Sequence, residues 1–375
     1  MDMKVNIAES LQTIGQQLAE NGVKADATDT FSRENYGLLA EKRVFSAMVP
    51  TELAGGGLGY RQMGLMLREL AGYHPSTALS CSMHQHIIAA NLYKHLHGMP
   101  GQALLEKVAS NELKLVSTGA GDWLASSGNM VRVDGGYRLS GMKHFASGSP
   151  AADLLVTSAP YEDSELGWQV LHFPVSFAAE GVTVLDNWAP MGMRGSGSNS
   201  VQLEDVFVPD ESIAATRPRG DFHAMYCVVL PVALPLIMSV YCGIAETAAE
   251  RARTRCKGSI DPVTPYILGE METALTTAQV MVEDMVALVD EFRFTADVGM
   301  VNEMVKRKTV AAEACKKVAA KAVEACGGPG FMRSAGIECL LRDVMASHFH
   351  PLQEKRQYLF TGSLAMDLDP PGQAF

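Results

Sequence analysis

The sequence lacks the short motifs of several large enzyme classes. No G-x-G-x-x-G motif follows a first predicted strand and no Walker A loop is present, which excludes a Rossmann fold and a P-loop nucleotide site. The absence of a G-x-S-x-G turn argues against an α/β-hydrolase. Because neither H-E-x-x-H nor a Cys/His box is present, we predict no metal site.

Paired cysteines and excess positive charge are also missing. The seven cysteines are scattered without a C-x-x-C pair, which favours reduced thiols in a reducing compartment. No basic start leads into an apolar N-terminal stretch, so we expect a cytoplasmic protein. The formal net charge of -11 argues against a nucleic-acid partner.

Charged residues are absent from one stretch, Tyr226 to Ala245, which has about the length of a membrane span. Pro231 and Pro235 interrupt this stretch, and a proline inside a helix costs roughly 3 kcal/mol. We therefore expect no membrane span, but a loop that runs into a core helix.

The hydrophobic periodicity changes twice along the chain. Residues 1–112 have a helical period, residues 113–212 read as short alternating strands, and the helical period returns over residues 225–375. Val131–Leu139 alternates around Asp134-Gly-Gly136, which indicates a β-hairpin. We predict an α+β multidomain protein with an N-terminal helical domain, a central antiparallel β domain and a C-terminal four-helix bundle.

Two small-residue loops flank this hairpin, at Val116–Asp122 and Gly141–Gly148. Backbone amides and short hydroxyls such as those of Ser117 and Ser147 can reach the polar edge of a flavin, and Phe145 can cover the face of its ring. The alternatives are a polar turn for the first loop and a core position for Phe145.

A second set of candidate ligand-binding residues consists of glycines and arginines in the C-terminal region. Gly327-Gly-Pro-Gly-Phe331 ends a long predicted helix, either as a plain helix stop or as a close backbone approach to a ligand. Arg251 and Arg255 belong to a basic cluster that suits a pyrophosphate. The alternative is a solvated helix end whose cations face the helix dipole.

These segments together resemble the acyl-CoA dehydrogenase superfamily. Pro50–Gly59 is similar to its "P-x-x-x-G-G-x-G" segment, Val116–Asp122 to "T-E-P-x-A-G-S-D", and Tyr137–Gly148 to "Y-x-L-N-G-x-K-x-W-I-T-N". Further along, the chain is similar to "M-G-x-R-G-S-x-T", "D-V-x-V-P", "G-G-x-G-[YF]" and "x-R-D" at Met191–Ser198, Asp205–Pro209, Gly327–Phe331 and Leu341–Asp343.

The resemblance implies a homotetramer or homodimer that binds FAD, although some relatives use FMN. By position, the isoalloxazine ring would meet Val116, Ser117, Phe145 and Ser147. The pyrophosphate would meet Arg255, or Arg251 one turn earlier. The FAD of a neighbouring subunit would meet Glu324, Gly327 and Gly328, and Glu324 departs there from the usual Gln.

The catalytic carboxylate of the dehydrogenases has no clear counterpart here. Its two usual positions fall in His348-Phe-His-Pro351 and in Val228–Pro235, and the nearest substitute is Glu354. Flavin-dependent monooxygenases of the same fold rely on histidines near the flavin. The corresponding regions offer His84 or His86 and His348 or His350, of which we select His84 and His350.

Three functions remain open. The first is hydride transfer from an acyl-CoA-like substrate to FAD N5, with an electron-transfer partner. The second is oxygenation of a small molecule with reduced flavin from a partner reductase. The third is a non-enzymatic flavoprotein that uses the helical bundle as an interface.

Overall fold

The computed structural model describes residues 7–119 and 122–372. Its N-terminal region is helical as predicted. A single residue, His74, separates helix α3 from helix α4, which begins at Pro75. The helices are α1 (Ile7–Thr28), α2 (Arg33–Glu41), α3 (Tyr60–Tyr73), α4 (Pro75–Leu96) and α5 (Gln102–Asn111).

The central region consists of two four-stranded sheets, with strand orders β1-β4-β5-β8 and β2-β3-β7-β6. The predicted hairpin is confirmed, since β2 pairs antiparallel with β3 and Gly135 adopts a φ of 72° in the turn. Only the pairing of β1 with β4 is parallel among these described strands. The strands are β1 (Leu115–Ser117), β2 (Asn129–Val133), β3 (Gly136–Ala146), β4 (Leu154–Asp163), β5 (Gly167–Ser176), β6 (Val182–Val184), β7 (Asn199–Pro209) and β8 (Ala215–Pro218).

Three long helices and two shorter ones form the C-terminal region. The third long helix includes the predicted stop, because Gly327 leaves the helical region with a φ of 59°. The helices are α6 (Tyr226–Cys256), α7 (Thr264–Val289), α8 (Val298–Phe331), α9 (Glu338–Val344) and α10 (Glu354–Ala365).

The charge-free stretch forms helix from its start, so the expectation of a loop was wrong. Helix α6 continues through Pro231 and Pro235, and it packs against α3, α4, α7 and α8. The Tyr60 hydroxyl donates to the Val232 carbonyl at 2.7 Å, which satisfies one acceptor between the two prolines. By length and composition α6 could span a membrane, but 89% of its most apolar window is buried inside the protein.

Two hydrophobic cores result from this arrangement. The N-terminal and C-terminal helices share one core, whereas the two sheets enclose a separate one. The predicted fold class is confirmed: an N-terminal helical region, a central β region and C-terminal helices. The last strand, β8, lies beyond residue 212, where we predicted the β domain to end.

Candidate functional site

A buried ion pair joins the two predicted loop segments, although most of the second one, Gly141–Gly148, forms the end of strand β3 and is not a loop. The Lys143 side chain is 0% exposed, and its Nζ lies 3.0 Å from Oδ2 of Asp122. Asp122 also accepts hydrogen bonds from Thr118 Oγ1 at 2.7 Å and Ser127 Oγ at 2.6 Å. The two segments therefore meet as predicted, although Ala120 and Gly121 of the first segment lie outside the described residues.

Ser117 ends strand β1 and contacts helix α4. Its Oγ lies 3.3 Å from Nε2 of His86. Burial lowers the pKa of His86 to about 4, although the Ser82 carbonyl one turn earlier opposes this shift. The other ring nitrogen of His86, Nδ1, is buried without a hydrogen-bond partner of good geometry among the described residues.

His84 lies on a different side of the same helix, because residues two apart in a helix point about 200° apart. Its Nε2 lies 2.8 Å from the Phe45 carbonyl, and its Nδ1 accepts from the Leu115 amide at 3.0 Å. Both ring nitrogens are thus used by the backbone, and His84 attaches β1 to α4. Of the two alternatives that the sequence left open, the geometry favours His86 as the site histidine.

His350 follows the short 3-10 turn Met345–Phe349 and reaches helix α6. Its Nε2 lies 2.7 Å from the Tyr241 hydroxyl. Burial lowers the pKa of His350 to about 3, and the positive charge of Lys308 adds to this effect. The ring of His350 is thus held against α6 by Tyr241, whereas His86 lies against β1 at Ser117.

Phe145 and Ser147 are held at the end of β3. Phe145 has a φ of 59°, a conformation that bulky residues rarely adopt, and its ring is 53% exposed beside Trp188. The core alternative for Phe145 is therefore excluded. Ser147 Oγ lies 2.8 Å from Ser198 Oγ. The Val116 side chain is buried in the β core, so only its backbone can meet a ligand.

The predicted pyrophosphate residues form a second group at the C-terminal ends of α6 and α8. Cys256 Sγ donates to the Ala325 carbonyl at 3.3 Å and joins the two ends. This group is distant from Tyr241, because Tyr241 and Arg251 are ten residues apart in α6 and the helix rises about 15 Å between them. Arg251 donates to the Gly336 carbonyl, Glu324 pairs with Lys321 at 2.9 Å, and Arg255, Gly327 and Gly328 lie beside them.

The Arg-Asp pair of α9 connects distant parts of the chain. Arg342 forms an ion pair with Asp26 of α1 at 2.8 Å, and Asp343 accepts from the Met193 amide at 2.5 Å. Burial raises the pKa of Asp343 to about 7. This motif therefore attaches α9 to α1 and to the loop before β7.

A cluster of possible metal ligands lies close to His348. Ligand atoms of Glu313, His348 and Glu354 lie within 4.8 Å of one another. Lys316 lies in the same cluster, with its Nζ 2.5 Å from Glu313 and 3.5 Å from His348 Nδ1. An ammonium group thus already balances the acidic charge, and the expectation of no metal stays a prediction.

Two residues of the site were missed by the sequence analysis. Tyr241 lies in the charge-free stretch, where its hydroxyl is one of three among apolar residues and no local pattern distinguishes it. Lys308 lies on the apolar face of α8, on which Val305, Ala312 and Cys315 are also buried. A lysine at core positions of an amphipathic helix is the signal that could have identified it.

Comparisons with known proteins agree with this fold. The family model described as "Acyl-CoA dehydrogenase, N-terminal domain" matches residues 7–112, and the C-terminal domain model matches residues 238–354. The chain is 25% identical over 367 residues to a cyclohex-1-ene-1-carbonyl-CoA dehydrogenase of Syntrophus aciditrophicus, covering 92% of this chain and 86% of that protein. It is 29% identical over 282 residues to a dibenzothiophene monooxygenase of Rhodococcus qingshengii, covering 70% and 64%.

Solved structures with the same fold include a nitrososynthase from Micromonospora carbonacea var. africana. Its TM-score is 0.88 at 23% identity, with 98% of each chain covered. FMN-bound TdsC from Paenibacillus sp. A11-2 has a TM-score of 0.81 at 18% identity, with 98% of this chain and 99% of that chain covered. The protein belongs to the acyl-CoA dehydrogenase superfamily, which includes flavin-dependent dehydrogenases and monooxygenases.

Proposed function

We propose that the protein is a flavin-dependent monooxygenase that receives reduced flavin from a partner reductase and transfers one oxygen atom of O2 to a small molecule. The carrying observation is the buried, uncharged His350, which lies in the segment His348–Pro351 where the resemblance places a dehydrogenase's catalytic carboxylate. Among the described residues, no Asp or Glu hydrogen-bonds Ser117, His86 or His350.

The residues around this region fit a flavin. Ser117 Oγ and Ser147 Oγ can bond its polar edge, and the exposed ring of Phe145 can cover one face. The buried Nδ1 of His86 has only the Ser82 carbonyl of its own helix nearby, at poor hydrogen-bond geometry among the described residues, and a ligand group could satisfy it. When bound, a reduced flavin supplies the electrons that activate O2.

The protonation state of His86 and His350 decides which role each histidine can have. Because their conjugate acids have pKa values of about 4 and about 3, both rings are neutral at pH 7. A neutral imidazole offers one donor and one acceptor, so His86 can orient the Ser117 hydroxyl while His350 orients a ligand against Tyr241. Such an acidic conjugate acid does not retain a proton at pH 7, which makes His350 a hydrogen-bond donor or relay rather than a strong base.

Acyl-CoA dehydrogenation is the second candidate, with FAD as the hydride acceptor. It is favoured by the similarity to cyclohex-1-ene-1-carbonyl-CoA dehydrogenase along 92% of this chain. Glu354 would have to act as the base, but its carboxylate bonds Lys355 at 3.2 Å and lies with Glu313 and His348. The carboxyl group of Asp343 does not suit this role either, because it is buried and accepts a hydrogen bond from the Met193 amide.

The proposal includes a homotetramer or homodimer. Phe331 and Met332, which directly follow the glycine segment of α8, are exposed in the single chain. Exposed apolar side chains beside Gly327 and Gly328 suit a contact with a second copy. A reductase remains a separate partner in this proposal, because the fold described contains no nicotinamide-binding motif of the Rossmann type.

Anaerobic reduction and reoxidation separate the two functions. We expect that a panel of acyl-CoA thioesters does not bleach the absorbance of oxidised flavin on the protein. We expect tight binding of reduced FMN or FAD, and a reoxidation by O2 whose stopped-flow kinetics differ from those of the free reduced flavin. Bleaching by a thioester would instead support dehydrogenation and contradict the proposal.

Variants test the histidine assignment. His350→Ala should lower product formation by about 10²- to 10⁴-fold while reduced flavin stays bound, since positioned proton transfer contributes that much. His348→Ala is the matched control, because its ring faces Glu354 and Lys316 rather than Tyr241. Equal losses in the two variants would refute the role of His350.

A further inference from the structure

Lys308 is a buried lysine without a carboxylate partner. The residue is 2% exposed in the middle of α8. Its Nζ lies 3.0 Å from the His350 carbonyl and 3.1 Å from the Leu352 carbonyl. No Asp or Glu of the described residues forms an ion pair with it, although buried lysines are rare unless they are paired.

The two carbonyls belong to the segment that places His350. This segment connects the 3-10 turn Met345–Phe349 to α10, and the ammonium group attaches it to α8. Tyr241 of α6 holds the ring of the same residue at Nε2. Backbone and ring of His350 are thus fixed by two different helices, which leaves Nδ1 without a described partner.

The charged groups around this pair are few. The positive charge of Lys308 on α8 disfavours protonation of His350, and a protonated His86 on α4 would do the same. Lys308 faces Lys316 and Glu313 of its own helix, with opposite effects. Burial is the main cause that lowers the pKa of Lys308 to about 8, so the ammonium group is still mostly protonated at pH 7.

We propose that Lys308 is a positioning residue for His350: its ammonium group holds the backbone of the segment that carries the imidazole, and its positive charge opposes a second positive charge on the ring. The role rests on the proposed function, in which a neutral His350 bonds a ligand of the flavin site. A hydrocarbon side chain at position 308 would avoid the desolvation of a charge, so a lysine here has a purpose other than packing.

Neutral variants separate the charge from the hydrogen bonds. Lys308→Gln keeps amide donors, whereas Lys308→Met removes both donors and charge. In each folded variant we expect the pKa of His350, followed by NMR of 15N-labelled imidazole, to rise by about one unit or more towards its usual value of about 6.5. The acidic limb of the pH profile of product formation should move in the same direction.

Lys306→Met is the matched control, because Lys306 is on the same helix but pairs with Glu303 at the surface. It should leave the pKa of His350 unchanged. An unchanged pKa of His350 in a folded Lys308→Gln variant would overturn the proposal. A lower melting temperature without a shift of that pKa would reduce Lys308 to a structural residue.

The wild-type protein provides a test that needs no variant. As the pH rises through about 8, deprotonation of Lys308 should change the imidazole resonances of His350 with the same midpoint. Resonances that stay constant between pH 7 and pH 9.5 would contradict the proposal. This measurement does not depend on turnover, so a protein that fails every oxygenation assay would refute the proposed function and leave the role of Lys308 to be decided separately.

Discussion

Two fully buried lysines lie in different parts of the molecule, one in the β region and one among the helices. Lys143 pairs with the Asp122 carboxylate, whereas Lys308 donates to two backbone carbonyls and forms no ion pair with a described carboxylate. Burial lowers the pKa of both, but Asp122 opposes that shift at Lys143. The comparison teaches that a paired charge holds the segments around Asp122 and Lys143 together, while the charge of Lys308, which no described carboxylate pairs, acts on its neighbour His350.

Breaking the paired lysine should have the largest effect. Lys143→Met leaves Asp122 buried and uncompensated, so we expect a loss of about 3–5 kcal/mol in the free energy of unfolding. Denaturant unfolding measures this loss. A second substitution, Asp122→Leu, should recover part of the stability because it removes the unpaired charge. A loss below about 1 kcal/mol, the range of surface ion pairs, would remove the basis of the comparison.

The buried carboxyl group of Asp343 allows the same comparison for a negative charge. Asp343 has a pKa of about 7, well above its unfolded value of 3.8, so the folded state favours the protonated form. Its contribution to stability is therefore complete below pH 4 and is lost as the pH rises through about 7. We expect the melting temperature of Asp343→Asn relative to wild type to increase from pH 5 to pH 8.

Differential scanning calorimetry at several pH values measures this effect. Asp205→Asn is the control, because that carboxylate is largely exposed and should show no such trend. A difference between Asp343→Asn and wild type that is constant with pH would show that Asp343 does not titrate between the folded and unfolded states in this range.

The smallest effect on stability concerns an exposed ion pair, that of Glu324 with Lys321. Because water screens these charges, Glu324→Gln should not measurably change the melting temperature. The variant should bind FAD more tightly relative to FMN, since an anion is removed where the family places a dinucleotide. Fluorescence titration with both flavins measures the ratio, and an unchanged ratio would argue against FAD contact at this end of α8.

Local patterns allowed the hairpin and the helix stop to be predicted. Gly135 and Gly327 both adopt positive φ, which glycine reaches without steric penalty. The contact between the segments Val116–Asp122 and Gly141–Gly148 was also predictable, because the short hairpin turn lies between them in the chain and limits their separation. By contrast, Pro231 and Pro235 predicted an interrupted helix, and only the packing of α6 against α3, α4, α7 and α8 explains why it continues.

The sequence by itself determined the order of helical and β regions and the family, because periodicity, turn residues and motif order are local properties. Only the tertiary structure decided which of two nearby histidines contacts Ser117. His84 and His86 are two residues apart in α4. Because β1 packs on this helix, the Leu115 amide donates to His84 and the Ser117 hydroxyl contacts His86. Likewise, Lys308 and His350 are brought together by the contact of two distant segments, which no local pattern encodes.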